Sequence, residues 1–167
     1  MSHEISIVDG VAEAAYALVP AWHGLGTVLD HAMTSEEAIR AAHLDWEVDQ
    51  LPLTAAKPAE DGGVWCLPVP GLLANVRKDN DRVLGVVSKQ YKLIQNHEAF
   101  NFMDCLLMDG VIRYESCGAL KGGRIVWLLA RMPEEFEVAA GDRLDSYILF
   151  HTSHDGTAAV RCLPTNV

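Results

Sequence analysis

The sequence predicts an α+β domain: a largely antiparallel sheet built from hairpins, one principal helix packed on it, and a short N-terminal helix. Three observations predict it. Thr34-Ser35-Glu36-Glu37 and Gln95-Asn96 each open an apolar stretch of helical spacing. Apolar runs of strand length make up most of the remainder. Turn strings separate those runs at hairpin spacing, namely Lys78-Asp79-Asn80-Asp81, Lys121-Gly122-Gly123 and His154-Asp155-Gly156.

Val11–Leu18 is apolar and Ala-rich, which predicts a short helix or an ordered arm. Gly24 and Gly26 predict a loop over Pro20–Leu29, with Trp22 anchoring it to the core. The Thr34–Glu37 string has the form of a capping box and predicts a helix from Ser35 to His43. Trp46–Leu53 alternates as a half-buried strand, and Thr54–Gly63 is expected to be a polar loop or hairpin tip. Val64–Val69, Leu72–Arg77 and Arg82–Ser88 predict three strands, the last two forming a basic hairpin.

The principal helix is expected to begin with Asn96 as N-cap and to end before Gly110, with Ala99, Phe100, Phe102, Met103, Leu106 and Leu107 on its apolar stripe. Ile112–Leu120 and Arg124–Met132 predict a hairpin whose second strand, a continuous apolar run, is central. Pro133–Asp142 reads as an acidic connection. Tyr147–Thr152 and Thr157–Leu163 predict a final hairpin across Asp155-Gly156.

With 167 residues, 50% hydrophobic and 22% charged, the chain suits a single globular domain spanning 1–167. An acidic region, 1–63, precedes a hairpin, helix and strand core, 64–167, and the whole is expected to be the N-terminal part of a longer chain. No apolar run is long enough to span a bilayer, and there is no secretory signal pattern at the start. Four cysteines without a C-x-x-C pair predict reduced thiols in a cytoplasm rather than a zinc site.

The net charge of −10 argues against general affinity for DNA or anionic membrane, but it hides a gradient. Residues 1–70 carry −9, residues 71–131 carry +3 and residues 132–167 carry −4. Five cations lie within Arg77–Lys92: Arg77, Lys78, Arg82, Lys89 and Lys92. Together with Lys121, Arg124 and the aromatic rings of Tyr91 and Tyr114, they have the composition of a single-strand groove, cations for phosphate and rings for bases.

Catalytic signals are weaker. His151, His154 and Asp155 could supply three ligands of a metal-assisted hydrolase, with His23 as a fourth candidate. Histidines three apart on a strand point to opposite faces, so a packed histidine and a turn are the plainer expectation. Trp22-His23-Gly24-Leu25-Gly26 lacks the G-x-G-x-x-G spacing of a phosphate loop. Cys105 and Cys117 fall in a helix and a strand, where buried thiols are structural. No self-sufficient catalytic signature and no cofactor motif is present.

Four strings together carry a resemblance: Trp22-His23-Gly24-Leu25-Gly26-Thr27; Val83-Leu84-Gly85-Val86-Val87-Ser88 with Tyr91, Gln95 and Asn96; Gly118–Gly123 with Trp127; and Ser153-His154-Asp155-Gly156. In this order they resemble the phage/plasmid-like protein family, a domain of unknown function. The resemblance implies a mobile-element protein in a bacterial cytoplasm. It marks Trp22, His23, Gly24, Gly26, Gln95, Asn96, His154, Asp155 and Gly156 as motif positions. The architecture is also similar, at the level of fold alone, to phage single-strand annealing proteins of the Rad52 and RecT kind, which implies a homo-oligomer. Three functions follow as expectations. The first is single-stranded nucleic-acid binding or annealing in DNA metabolism. The second is the metal-assisted hydrolase, and the third is an acidic interaction or anti-defence protein.

Overall fold

The computed structural model describes residues 4–106, 113–139 and 142–166. Eleven strands and two helices are assigned among them, in the order β1 (Ile7–Val8), β2 (Val11–Ala12), β3 (Ala14–Ala17), β4 (Thr27–Leu29), α1 (Ser35–Ala41), β5 (Val48–Pro58), β6 (Val64–Arg77), β7 (Val83–Ser88), α2 (Asn96–Leu106), β8 (Arg113–Leu120), β9 (Ile125–Ala139), β10 (Asp142–Ser153) and β11 (Arg161–Asn166). They form a six-stranded sheet, β11-β10-β9-β8-β3-β4, a three-stranded sheet, β5-β6-β7, and the small pair β1-β2. Every pairing is antiparallel except β3 with β4. This is the α+β class with hairpin connectivity that the sequence predicts.

The core lies between the large sheet and the helices. In β9, Val126, Leu128 and Ala130 are buried, while Ile125, Trp127 and Leu129 are half-buried. The apolar run is therefore an interior strand with two unequal faces. Its buried face joins Cys117 and Ala119 of β8 and Phe150 of β10, and Ala38, Phe100 and Met103 close over them from the helices. Burial raises the Cys117 thiol to about 12, so it stays a thiol and packs as a small apolar group.

The α1 capping box is present. Glu37 N–H donates to Thr34 Oγ1 at 3.4 Å, and Thr34 N–H donates back to Glu37 Oε2 at 2.8 Å. Those hydrogen bonds from Thr34 hold the Glu37 carboxyl down to about 2.

Several expectations are corrected. Val11–Leu18 is strand rather than helix, because Ala14, Ala15 and Tyr16 find a ladder partner in β8. Thr54–Gly63 is the distal end and tip of the β5–β6 hairpin, with Thr54 to Pro58 in strand, and β6 is one long strand where two were expected. The acidic stretch after Met132 continues β9, so β9 and β10 form one long hairpin. Asn96 is the first helical residue and not the N-cap. Gln95 holds the cap position, its N–H donating to Glu98 Oε2 at 2.8 Å and its carbonyl accepting from Ala99. The expected Gly110 terminator lies outside the described residues.

Candidate nucleic-acid interface and the buried seam

The basic hairpin β6–β7 does not present its cations as one row. Arg77, at the end of β6, is 1% exposed. Its Nη1 and Nη2 donate to the buried Glu13 carboxylate at 3.0 and 2.7 Å, and its Nε and Nη2 donate to Asp79 at 2.9 and 2.5 Å. The guanidinium also lies over Trp46, 4.1 Å from the ring centroid. Burial alone would weaken its proton affinity. The hydrogen bonds to Asp79 and Glu13 outweigh that, so Arg77 is held charged. Arg77 is thus withdrawn from the expected interface, because both edges of its guanidinium are committed to carboxylates.

Lys78 remains at the surface but pairs with Glu47 at 2.7 Å. Tyr114 is buried and is no stacking platform; its hydroxyl donates to Asp104 at 2.8 Å. Tyr91 is half-buried and its hydroxyl donates to the Ser153 carbonyl. Lys89 is exposed at the foot of β7, and Lys92 lines a separate apolar groove beside α2.

Three cations do come together. Arg82, Lys121 and Arg124 line one concavity of about 530 Å³, with Glu4, Ser6 and Gly122 in its wall. Arg82 leads into β7, while Lys121 and Arg124 flank the β8–β9 turn, so two hairpins supply the charge. Gly122 lets them meet: a Cβ there would strike the Arg82 guanidinium. Lys121 reaches Glu4 only at 3.6 Å. The Ser6 hydroxyl is buried and has no hydrogen-bond partner. A concavity with three cationic side chains is suited to an oxyanion such as phosphate.

Behind this surface runs a buried polar seam between the two sheets. His154 is fully buried, and its backbone N–H donates to the Arg124 carbonyl at 2.7 Å. Its Nε2 meets Asn96 Oδ1 at 3.0 Å, and Asn96 Nδ2 donates to the Leu44 carbonyl at 2.9 Å. Because the amide spends its donors on Leu44, the imidazole carries its proton on Nε2. Asn75 Nδ2 donates to the His154 carbonyl at 2.6 Å, and the Gln50 amide donates to Asn75 Oδ1 at 3.1 Å. Gln95 pairs with both backbone groups of Val48, at 2.9 and 2.8 Å. Burial, assisted by Arg77, lowers the His154 imidazole to about 4, so it is neutral at pH 7.

The motif strings of the sequence mostly converge here. A Cβ on Gly85 would lie 2.6 Å from the Asp155 Cα, so β7 and the His154–Gly156 turn touch backbone to backbone. Gly156 packs on Val87, and Gly118 lies under Trp127. The Trp22–Thr27 string is apart from the seam. Its Trp22 is 78% exposed and does not anchor the loop. The loop is instead held by Gly26 against the Ala14 carbonyl, and by His23 packed edgewise on Tyr16.

The candidate ligands do not gather. His154 faces Asn96, Asp155 Oδ1 accepts from Thr157, and His151 pairs across the ladders with Trp127 and Arg161. Burial, with the Arg161 charge, lowers the His151 imidazole. Among the described residues, no group of three His, Cys, Asp or Glu side chains could hold a metal ion.

Sequence reasoning missed the Glu13–Arg77 pair. Its signal is a lone carboxylate in the apolar run Val11–Ala17 and a lone guanidinium ending the apolar run from Leu72, two charges that burial obliges to meet.

Residues 83–167, from β7 to the end of the chain, match the family described as a domain of unknown function, DUF932. The chain belongs to the DUF932 family. The matched part of this DUF932 chain contains α2, the β8–β9 turn with Lys121 and Arg124, and the His154 turn. Arg77, Arg82 and Glu13 lie outside it. No curated protein and no solved structure matches the chain. No helix among the described residues is long and apolar enough to cross a membrane.

Proposed function

We propose that the chain is a phage- or plasmid-encoded protein of bacterial cytoplasmic DNA metabolism that holds the backbone of single-stranded nucleic acid at Arg82, Lys121 and Arg124. The observation that carries this reading is the concavity these three cations share. The contact is narrower than the full set of nine positions. Arg77 and Tyr114 serve the core, Lys78 is paired, and Lys89 and Lys92 are left as outlying charges on the strand's path. Tyr91 supplies a ring at the surface, with its hydroxyl already engaged.

Binding of a labelled single-stranded oligonucleotide across a salt series tests it. Neutralising three phosphates gives a slope of about −2 in log K against log salt, a loss of roughly 15-fold between 50 and 200 mM. Arg82→Ala with Arg124→Ala removes most of that slope. Absence of binding at low salt, or a slope unchanged in the variant, contradicts the reading.

The acidic-partner reading draws less support. Glu4, Glu13 and Glu47 of the acidic region face Lys121, Arg77 and Lys78, so part of the charge gradient is spent inside the molecule.

A further inference from the structure

Residues 4–6 are laid along the end of β8. Ser6 N–H donates to the Ala119 carbonyl at 2.8 Å, Ile5 bridges Leu120, and Lys121 N–H donates to the Glu4 carbonyl at 2.9 Å. Successive backbone contacts therefore fix Glu4 opposite Lys121. Both residues hold left-handed backbone, with φ of +52° and +54°. Glycine suits that conformation better than a residue with a side chain, so two charged side chains meet where backbone preference alone would place none.

That meeting sets the charge of the cationic concavity. Glu4 is the one carboxylate among the described residues that line it. Its Oε2 lies 3.6 Å from Lys121 Nζ, and both side chains are half-exposed. A charge-assisted hydrogen bond would be about 2.7–2.9 Å long, so this pair is held by charge and not locked by hydrogen bonding. Among the described residues, Arg82 and Arg124 form no ion pair. The three cations are thus unequal. Two are open to an anion, and the third is engaged by the chain's own carboxylate. A strand that uses all three has to move Glu4 aside, and the displaced carboxylate stays close to the arriving phosphate as a like charge. Phosphates seated on Arg82 and Arg124 make this feasible, because they present the next phosphate of the same strand to Lys121 at high effective concentration.

We propose that Glu4 is the resident competitor of the polyanion: it engages Lys121 until a phosphate of the strand replaces it, and so limits the affinity of the site. The inference rests on the polyanion reading of the concavity and deepens it, by naming the residue that weakens the grip.

Titration of a labelled single-stranded oligonucleotide at low salt into the wild type, Glu4→Gln, Lys121→Ala and the double variant tests it. Glu4→Gln binds about three- to fivefold tighter, the scale of an exposed ion pair together with the repulsion it removes. In the Lys121→Ala background the same change gives less than about twofold, since no ammonium is left to release. Glu60→Gln, which removes an equal charge at the β5–β6 turn, also gives less than about twofold. The gain from Glu4→Gln shrinks as salt is raised, because the pair is exposed. Glu4→Gln keeps the wild-type melting midpoint within about 2 °C, as a surface change that spares the backbone contacts should. Equal tightening by Glu60→Gln, or equal tightening by Glu4→Gln with and without Lys121, overturns the proposal and spares the polyanion reading. So does wild-type binding that depends on Arg82 and Arg124 yet is unmoved by Glu4→Gln. If neither the wild type nor Glu4→Gln binds the strand, both fall together.

Discussion

Arg77 and Arg82 flank one short turn of the same hairpin, yet they face opposite environments. Arg77 is enclosed by Glu13, Asp79 and Trp46, while Arg82 lies across Gly122 at the surface with Lys121 and Arg124. Burial decides the difference. A guanidinium taken from water needs its hydrogen bonds met by charged partners, and the strand that delivers Arg77 ends beside two carboxylates. The turn carries Arg82 back out, where hydration or a mobile anion can satisfy it. Proximity in sequence therefore says little about whether two cations share a task.

The comparison is broken most severely at its buried end. Arg77→Leu should destabilise the fold by about 3–5 kcal/mol in urea denaturation, because it leaves Glu13 buried without a partner. Adding Glu13→Leu should return much of that loss, since the orphaned charge goes with it.

Acid should act on the same seam. The folded His154 value of about 4 lies below its ordinary 6.5, so protons bind the unfolded chain first. The seam's contribution is whole above pH 6.5 and is lost as pH falls toward 4, on the order of 3 kcal/mol in all. His151, also lowered, adds a loss of the same sign, whereas the surface imidazole of His31, raised by Asp30 and Glu37, opposes it. Urea midpoints measured from pH 7 to pH 4 should fall in the wild type. In His154→Gln, which keeps an amide for Asn96, they should fall much less.

A smaller loss is expected where the two sheets touch. Gly85→Ala places a methyl against the Asp155 backbone and should cost about 1–3 kcal/mol by thermal denaturation, the scale of an overpacked contact. Smallest of all, Arg82→Ala with Arg124→Ala should leave stability within about 0.5 kcal/mol, as surface changes do.

Local signals made much of the fold legible. Thr34 and Glu37 declared α1 through a capping box, and the two strand-length runs of β8 and β9 on either side of the Gly122-Gly123 turn declared their hairpin. What failed was long-range. Val11–Leu18 has helix-like composition, but its backbone is claimed by the ladder with β8, and no local pattern announces that partner. Thr54–Pro58 looks polar beside Gly62-Gly63, yet register with Val64–Pro68 extends it as strand. The cationic site was half legible. Composition gathered its members, but which of them face outward depends on Glu13, Glu47 and Asp79, whose proximity only the tertiary structure creates. The motif glycines were visible as a set, but the reason for Gly85, backbone contact between β7 and the His154 turn, was not.

The most direct measurement sets two outward variants side by side in one oligonucleotide-binding experiment at low salt. Arg82→Ala with Arg124→Ala should weaken single-stranded DNA binding at least about tenfold while keeping the wild-type urea midpoint, because these residues hold phosphate and not the fold. Lys78→Ala, which removes a cation already paired with Glu47, should change binding less than about twofold. Equal effects of the two, or binding untouched by the loss of Arg82 and Arg124, would contradict the division of labour between the paired cations of the hairpin and those of the concavity.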